Sequence, residues 1–348
     1  MKKHKMLLMA VIGMVLFASV FFMSPFAMAK KHHKSGDQYQ PDEAIFTNPE
    51  DIDTTYADWM EKNKDILKNM PINQIPLLGS HDSGSCDVSP DSPPCKGYLT
   101  HSGHHIHRMP KGSDVTSARC QSASIKDQLR YGVRYLDMRI AWQDGAYWIE
   151  HMWMSTPLLG EEGVFAEIKA FLREHPQEVI ILHMQELYSE TGRMNDDEAE
   201  AYFQLIKQEF GAALALKGDF ASTTIGDIRA AGANIIVVAD VESSSEPFIW
   251  YERQVDTKWM NKEDSVELAD ALNDRVISGW RRGDCADKLR VLQAMTTTKH
   301  KIVKARETNA EIKKRLESDW KDAPINVVQV DDSVNSGIMP VLIKRLKQ

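Results

Sequence analysis

Two histidines, an arginine and two carboxylates stand at the ends of apolar segments in this sequence. The stretch IPLLGSHD sets an apolar run against His81 and Asp82, YLDMRI carries Asp137 and Arg139, and YWIEH ends at His151. Two imidazoles that titrate near neutrality can take a proton from a nucleophile and give one to a leaving group. The planar fork of an arginine matches the oxygens of a phosphate. These residue types therefore suit cleavage of a phosphodiester.

Further polar residues follow the other apolar segments. They are Glu150, His183, Gln185, Glu186, Asp240, Asp331 and Asp332. In a barrel the carboxyl ends of the strands converge on one mouth, where the active sites of this architecture lie. Carboxylates at that mouth would hold each imidazole in the required tautomer and stabilise its cation. Several such strand ends together indicate a site more strongly than one His-Asp pair, which could simply mark where a strand leaves the core.

A metal ion is the main alternative, because histidines and carboxylates are also metal ligands. Arg139 lies two residues after Asp137 on the same face of a strand, and its fixed positive charge would oppose a bound cation. We therefore predict no metal and no other cofactor. The histidines of THSGHHIHRMP match no closed tetrahedral zinc pattern, and they are predicted to lie in a solvated loop.

The elements that would position these residues alternate between apolar strands and amphipathic helices. Helices are predicted over SASIKDQLRYG, which closes on Gly132, over EEGVFAEIKAFLREHP, and over NAEIKKRLESDW. The strands EVIILHM, NIIVVAD and INVVQV are continuous apolar runs, typical of parallel strands covered on both faces. Seven or so strands without a linker predict one α/β domain. A closed barrel and a doubly wound open sheet both fit this count.

The amino-terminal segment has the pattern of a secretory signal. MKKHK is basic, the residues from Met6 to Met23 are almost all apolar, and AMA offers a cleavage site after Ala29. An uncleaved membrane anchor is the alternative. We predict a signal peptide over 1–29, an extension with the first helix over 30–69, and the barrel over 70–348. The protein is accordingly expected to be secreted, to the extracellular space or the periplasm.

The charge balance argues against nucleic-acid binding. The chain has 42 Lys and Arg against 50 Asp and Glu. Removal of residues 1–29 takes away three lysines and no acids, which leaves a formal charge of −11. A non-specific nucleic-acid binder normally carries the opposite sign. We expect no nucleic-acid partner.

Four cysteines in an exported chain suggest disulfides, which persist outside the cytosol. Cys86 and Cys95 flank the proline-rich DVSPDSPP, so a bridge between them would fix a loop beside His81. This pairing leaves Cys120 with Cys285. The alternative is that all four are free thiols.

In its motifs the sequence resembles the catalytic X domain of phosphatidylinositol-specific phospholipase C (PI-PLC), in its bacterial, secreted form. The motifs are LLGSHDS, QLRYGVRYLDMRI and YWIEHMW, in the same order as in that family. FLREHPQEVIILHMQE and INVVQVDD are similar to its next helix-strand unit and its closing strand. The resemblance extends over about residues 70 to 346. It implies a single irregular TIM-type (β/α)8-like barrel.

The resemblance also implies roles for the residues at the strand ends. His81 would be the general base on the inositol 2-hydroxyl, oriented by Asp331. Arg139 would bind the phosphate, and His151, supported by Asp82, would be the general acid that releases diacylglycerol. A cyclic inositol phosphate would be the other product. Among the residues that surround the substrate, Asp137 would brace the site.

Two positions depart from the bacterial pattern and leave the headgroup open. Gln185 stands where these enzymes often carry a lysine, and Asp240 stands where they carry an arginine; we assign both to substrate binding. HMW also replaces the usual His-Gly after the third strand. The predicted partner is a phospholipid at a membrane surface, and the protein is expected to be a monomer. The alternatives are a metal-dependent phosphodiesterase, of the glycerophosphodiesterase or sphingomyelinase D type, and an inactive lipid- or sugar-binding relative.

Overall fold

The computed structural model describes residues 46–103, 115, 118–241, 244–298 and 301–348. These residues all fall within one compact unit, Gln40–Gln348. The predicted signal peptide, residues 30–45 of the predicted extension and the histidines of THSGHHIHRMP after His101 lie outside the described residues. The described helices include none that is long and apolar enough to cross a bilayer.

Eleven strands form one sheet in the described residues. They are β1 Leu77–Ser80, β2 Tyr135–Gln143, β3 Ala146–His151, β4 Trp153–Pro157, β5 Ile180–Ser189, β6 Gly192–Arg193, β7 Ile235–Ala239, β8 Ile249–Tyr251, β9 Val255–Thr257, β10 Leu289–Gln293 and β11 Val327–Val330. Eight of them run in the order β8-β7-β5-β2-β1-β11-β10-β9. Each neighbouring pair in this order is parallel.

These eight strands make a barrel that is nearly closed, with its opening between β8 and β9. The predicted (β/α)8-like barrel is therefore confirmed, and the open sheet is excluded. The apolar runs behave as expected for parallel strands covered on both faces, since every residue of β7 and β11 is buried. Strands β8 and β9 have only three residues each, so a periodic sequence pattern cannot identify them as strands.

Strand β3, which holds the segment YWIEH, is not a strand of the barrel wall. It pairs antiparallel with β2 and with β4, and β2 and β3 form a hairpin that turns at Asp144 and Gly145. The chain therefore leaves the mouth along β2 and returns toward it along β3. The prediction that His151 lies at the mouth is right, but the prediction that it ends a third parallel strand is wrong.

Helices cover the outside of the barrel and connect its strands. They are α1 Trp59–Lys62, α2 Lys64–Leu67, α3 Lys96–Ser102, α4 Ile125–Tyr131, α5 Val164–Glu174, α6 Asp196–Phe210, α7 Ile225–Ala230, α8 Ser265–Leu272, α9 Ser278–Arg281, α10 Lys301–Glu317 and α11 Met339–Leu346. Helix α4 ends as predicted at Gly132, whose φ of 115° only glycine adopts readily. Helix α10 begins eight residues before the predicted NAEIKKRLESDW, at Lys301.

A buried ion pair lies at the end of the barrel opposite the mouth. Arg134 and Glu178 have fully buried side chains, and their Nη2 and Oε2 atoms are 2.7 Å apart. Glu178 also accepts hydrogen bonds from the backbone N–H groups of Met60 and Glu61. Because Arg134 additionally donates to the carbonyl of Ala57, this pair ties the helices before β1 to the barrel.

Candidate active site

Three adjacent strands bring most of the predicted residues together at the mouth. Strand β1 lies between β2 and β11. His81 and Asp82 follow β1, Asp331 follows β11, and β2 carries Arg139. Asp82 has a positive φ of 42°, a conformation that turns the chain sharply after the strand. The side chains of His81 and Asp82 therefore both face the mouth.

His81 is held between an acidic and a basic partner. Its Nδ1 lies 2.7 Å from Oδ1 of Asp331, and its Nε2 lies 3.2 Å from Nη2 of Arg139. Because the guanidinium can only donate, Nε2 accepts, and Nδ1 carries the hydrogen that is donated to Asp331. The backbone carbonyl of Asp331 accepts in turn from Nδ2 of Asn309. The Nε2 lone pair of His81 is therefore directed at the guanidinium of Arg139.

Arg139 is surrounded by carboxylates. Its Nε is 2.5 Å from Oδ1 of Asp82, its Nη2 is 3.4 Å from Oδ2 of Asp137, and its Nη1 is 3.8 Å from Oε2 of Glu186. Burial by itself would lower the pKa of the guanidinium. The carboxylates, Asp82 first, more than offset this effect and raise the pKa well above its usual value. Arg139 is therefore a permanent cation next to His81.

Asp82 is the centre of the cluster, which contains His81, Asp82, Arg139 and His151. Its Oδ2 lies 3.2 Å from Nε2 of His81 and 3.1 Å from Nε2 of His151, in addition to the contact with Arg139. Burial opposes ionisation of this carboxyl group. The positive charges around it, Arg139 first, outweigh burial and hold its pKa well below the usual range. Asp82 is therefore a carboxylate shared between two imidazoles and one guanidinium.

Asp137 braces the cluster from below and has only 1% of its surface exposed. Its Oδ2 accepts from the backbone N–H of Asp82 at 3.1 Å and from Nε2 of Gln329 at 3.1 Å. This placement agrees with the predicted bracing role. It does not fit direct contact with a substrate, because the carboxylate is covered by Arg139 and by the chain at Asp82.

His151 enters the cluster from the hairpin strand β3. Its ring centroid lies 6.1 Å from that of His81. Nδ1 is 2.6 Å from the carbonyl oxygen of Ala118, so Nδ1 carries the hydrogen. Nε2 faces Nζ of Lys301 at 3.3 Å. Burial, then the nearby charges of Lys301 and Arg139, lower the pKa of His151 to about 3, although Asp82 opposes this shift.

The two imidazoles have the same pattern of hydrogen bonds, but the oxygen that accepts from Nδ1 is charged in one case and uncharged in the other. In each ring Nδ1 donates to an oxygen and Nε2 accepts from a cation. The oxygen beside His81 belongs to the carboxylate of Asp331, whereas the oxygen beside His151 is the uncharged carbonyl of Ala118. A carboxylate stabilises an imidazolium more than a carbonyl does. Of the two, His81 is therefore better suited to accept a proton.

Sequence reasoning missed two residues of the cluster, Cys120 and Lys301. The thiol of Cys120 donates to Oδ2 of Asp82 at 3.2 Å and lies 3.6 Å from Nδ1 of His151. Burial raises the pKa of this thiol well above its usual value, so it stays protonated. The sequence carries no clear signal for Lys301, because the predicted helix NAEIKKRLESDW begins only at Asn309.

The predicted disulfides are absent, and all four cysteines are free. Cys120 lies at the mouth, whereas Cys285 precedes β10 and so lies at the opposite end of the barrel. Cys95 packs instead among Ala141, Met154 and Tyr188. The prediction failed because spacing along the chain does not show which end of a barrel a residue occupies.

Gln185 and Asp240 lie apart from the histidines. Both line a cavity of about 350 Å³ beside the ends of β5 and β7, whose wall also includes Arg193 and residues of α6. The cavity is linked to the cluster through Glu186, which lies 3.9 Å from Arg193 and 3.8 Å from Arg139. The structure therefore places these two predicted substrate-binding residues at a neighbouring pocket.

Two other polar residues at strand ends have different environments. His183 is fully buried and hydrogen-bonded to Tyr135 and Glu252, so it is a satisfied core histidine. Glu150 is also buried, and burial, followed by the charge of Glu186, raises its pKa well above the usual range. Burial therefore favours the neutral, protonated form of Glu150.

One set of potential metal ligands exists among the described residues. His81, Asp82 and Cys120 offer atoms that all lie within 4.8 Å of one another. An imidazole, a carboxylate and a thiol form a donor set that suits zinc. However, Arg139 already neutralises Asp82, and Lys301 adds a second positive charge to the cluster. Both cations disfavour a divalent ion at this position.

Comparisons with known proteins point to one family, although no family model matches the chain. "Variant-surface-glycoprotein phospholipase C" of Trypanosoma cruzi is 35% identical over 142 residues, which cover 37% of this chain and only 36% of that protein. Human "PI-PLC X domain-containing protein 2" is 25% identical over 259 residues, covering 71% of this chain and 79% of that protein.

Solved structures share the fold. The phosphatidylinositol-specific phospholipase C of Listeria monocytogenes aligns with a TM-score of 0.56 at 16% identity, covering 80% of this chain and 95% of that one. The Staphylococcus aureus enzyme, solved as its F249X mutant, gives 0.57 at 17%, covering 84% and 98%. The predicted resemblance is confirmed: the chain is related in sequence to the PI-PLC X-domain proteins and has the barrel fold of the bacterial phospholipases.

Proposed function

We propose that this protein is a phosphodiesterase that cleaves the headgroup from a glycerophospholipid, with phosphatidylinositol as substrate. Diacylglycerol and a cyclic inositol phosphate would be the products. The observation that carries the proposal is the placement of His81 and His151 on either side of Asp82, with the guanidinium of Arg139 beside them. The T. cruzi relative is named as a phospholipase C and the Listeria structure as a phosphatidylinositol-specific phospholipase C, which supports the proposal.

In this proposal His81 is the general base. Its Nε2 takes the proton from the attacking hydroxyl of the headgroup, and the hydroxyl oxygen forms the new bond to phosphorus. The carboxylate of Asp331, 2.7 Å from Nδ1, stabilises the imidazolium that forms. Arg139 donates to the phosphate oxygens, on which negative charge increases in the transition state.

His151 is the proposed general acid, which donates a proton to the glycerol oxygen as its bond to phosphorus breaks. With a pKa of about 3 in the free protein, this imidazole is neutral at pH 7. A bound phosphodiester would bring a negative charge next to Lys301 and Arg139 and would thereby raise the pKa of His151. The substrate itself would thus favour protonation of the acid.

We further propose that headgroup hydroxyls occupy the cavity at Gln185 and Asp240. Amide, carboxylate and guanidinium groups line it together with apolar side chains, a mixture that suits a polyol. We also propose that the reaction needs no metal, since Arg139 supplies a fixed positive charge at Asp82. Export of the protein stays a proposal that depends on the signal-like segment before Ala29; sequencing the amino terminus of the protein recovered from outside the cells would test it.

The experiment is to incubate the protein with vesicles of phosphatidylinositol, phosphatidylcholine or sphingomyelin in excess chelator and to identify the phosphorus products. We expect a cyclic inositol phosphate from phosphatidylinositol. His81→Ala should lower the rate by about 10²–10⁴-fold. The control is His175→Ala, which should leave the rate unchanged because His175 follows α5 at the opposite end of the barrel. Activity only with added metal would favour the metal-dependent class, with His81, Asp82 and Cys120 as the candidate ligands. Binding without any product would favour the inactive class.

A further inference from the structure

Lys301 is a partly buried cation at the mouth to which the proposed mechanism assigns no direct role. It is the first residue of α10, and its Nζ lies 3.3 Å from Nε2 of His151. Burial by itself would lower the pKa of the ammonium, but the carboxylates of Asp82 and Asp331 act in the opposite direction, and the pKa is raised above its usual value. Lys301 is therefore charged at neutral pH, although a neutral imidazole is its hydrogen-bond acceptor.

This hydrogen bond is unusual for a lysine in a site that contains carboxylates. Among the described residues, Nζ forms no ion pair with a carboxylate, whereas Lys304, one turn later, pairs with Glu307 at 2.6 Å. An ammonium group has three hydrogens to donate, and a single imidazole accepts one. Lys301 thus keeps donor capacity for a ligand that enters beside His151.

The position of Lys301 repeats that of Arg139 on the other imidazole. Arg139 donates to Nε2 of His81, and Lys301 donates to Nε2 of His151. Each cation therefore donates a hydrogen bond to the ring nitrogen, Nε2, that must exchange a proton in the proposed reaction. A phosphate placed between the imidazoles would offer oxygens to both cations and would draw their hydrogens away from both nitrogens. The amino end of α10 adds the partial positive charge of its helix dipole on the same side.

We propose that Lys301 is a second phosphate-binding residue, which binds the phosphodiester on the side of the leaving group and, in doing so, releases Nε2 of His151 for protonation. This inference rests on the proposed function. Before substrate binds, the Lys301 ammonium donates to Nε2. When a phosphate oxygen accepts that hydrogen bond instead, Nε2 takes a proton from solvent and shares it with Asp82 at 3.1 Å. The same proton then passes to the leaving oxygen, and the proton gained by His81 returns to solvent.

The protonation of His151 depends on all the groups that face its ring. Asp82 and His81 come from the end of β1, Arg139 from β2, and Lys301 from α10. Ala118 and Cys120 come from the segment that precedes α4. Of these, Lys301 is the cation whose hydrogen bond competes directly with a proton for Nε2. Removal of its charge should therefore shift the titration of His151 to higher pH.

The first test measures phosphate binding without turnover. Inorganic phosphate is added to the wild type, to Lys301→Met and to Lys304→Met, and the imidazole signals of His151 are followed by NMR. We expect the wild type and Lys304→Met to bind phosphate equally, and Lys301→Met to bind it about 10–100-fold more weakly, the usual range for a hydrogen bond to a charged group. In Lys301→Met without phosphate, His151 should titrate at higher pH than in the wild type.

The second test compares kinetics on phosphatidylinositol vesicles. Lys301→Met should raise KM by about 10–100-fold, and Lys301→Arg should restore most of the loss, because arginine also donates to phosphate. If Lys301→Met binds phosphate as the wild type does and leaves the titration of His151 unchanged, the inference is wrong, whether or not the wild type is active. An inactive wild type in which Lys301 still binds phosphate would instead contradict the proposed function alone.

Discussion

The pair formed by His81 and Asp331 gives the sharpest test of the proposed chemistry. We expect Asp331→Asn to lower kcat/KM strongly, because the carboxylate stabilises the positive charge that His81 acquires when it takes a proton. Asparagine keeps the size of the side chain and can still accept a hydrogen bond from Nδ1. The substitution therefore removes the negative charge and little else.

The magnitude follows from the geometry. Nδ1 and Oδ1 are 2.7 Å apart, and the carboxylate of Asp331 is 4% exposed. Two unit charges about 4 Å apart attract each other by about 4 kcal/mol at an effective dielectric constant of about 20. Each 1.36 kcal/mol in the barrier corresponds to roughly tenfold in rate. Loss of most of this attraction should lower kcat/KM by about 10²–10³-fold.

The control is the neighbouring carboxylate. Asp332 is also buried, but it accepts from Ser122 and Asn335 and does not contact His81. Its φ of 47° lies in the left-handed region, which asparagine tolerates. Asp332→Asn should therefore leave kcat/KM within a few fold of the wild type, as measured by product release from phosphatidylinositol vesicles. If Asp331→Asn behaves like Asp332→Asn, His81 does not develop a positive charge in the rate-limiting step, and the proposed base is wrong.

Two further predictions concern stability. Because the pKa of Glu150 is raised, the folded protein binds this proton more tightly than the unfolded chain does, so the wild type should lose stability as pH rises from the ordinary pKa of a glutamate toward the raised pKa. Glu150→Gln, which mimics the protonated form, should unfold in urea at pH 7 with an equal or higher free energy and a flatter pH dependence; a loss of about 2 kcal/mol would contradict the assignment. Glu178→Ala leaves Arg134 buried without its carboxylate partner and should lower the free energy of unfolding by about 3–5 kcal/mol, measured in the same way, whereas a change below about 1 kcal/mol would show that water replaces Glu178.

The parallel strands and their polar ends were predictable because each of these signals is local. A buried parallel strand is a continuous apolar run, and its carboxyl end is marked by the first polar side chains, as at His81 and Asp331. The end of α4 was equally predictable, since Gly132 supplies a backbone conformation that other residues avoid. The convergence of these strand ends at one mouth then follows from the topology.

The features that the sequence did not predict depend on contacts between distant segments. Nothing in YWIEH distinguishes an antiparallel hairpin strand from a strand of the barrel wall, because pairing decides this. From the sequence we place Cys120 in a disulfide. Its actual contact is with Asp82, 38 residues away in the sequence, and no local pattern reveals such a contact. Lys301 was missed because the early turns of α10 carry no clear apolar stripe, so the helix was predicted to begin only at Asn309.

The seam between β8 and β9 has a consequence for how the molecule moves. In the strand order, β2 and β1 stand at least three strands from both free edges and β11 stands two strands from β9, so no residue of the cluster lies on either edge strand. Among the eight strands of the barrel wall, amide protons should accordingly exchange with solvent fastest at Ile249–Tyr251 and Val255–Thr257 and slowest at Leu77–Ser80. Thermal opening of the wall would then begin on the far side of the barrel from His81, so the cluster could keep its geometry while the seam fluctuates.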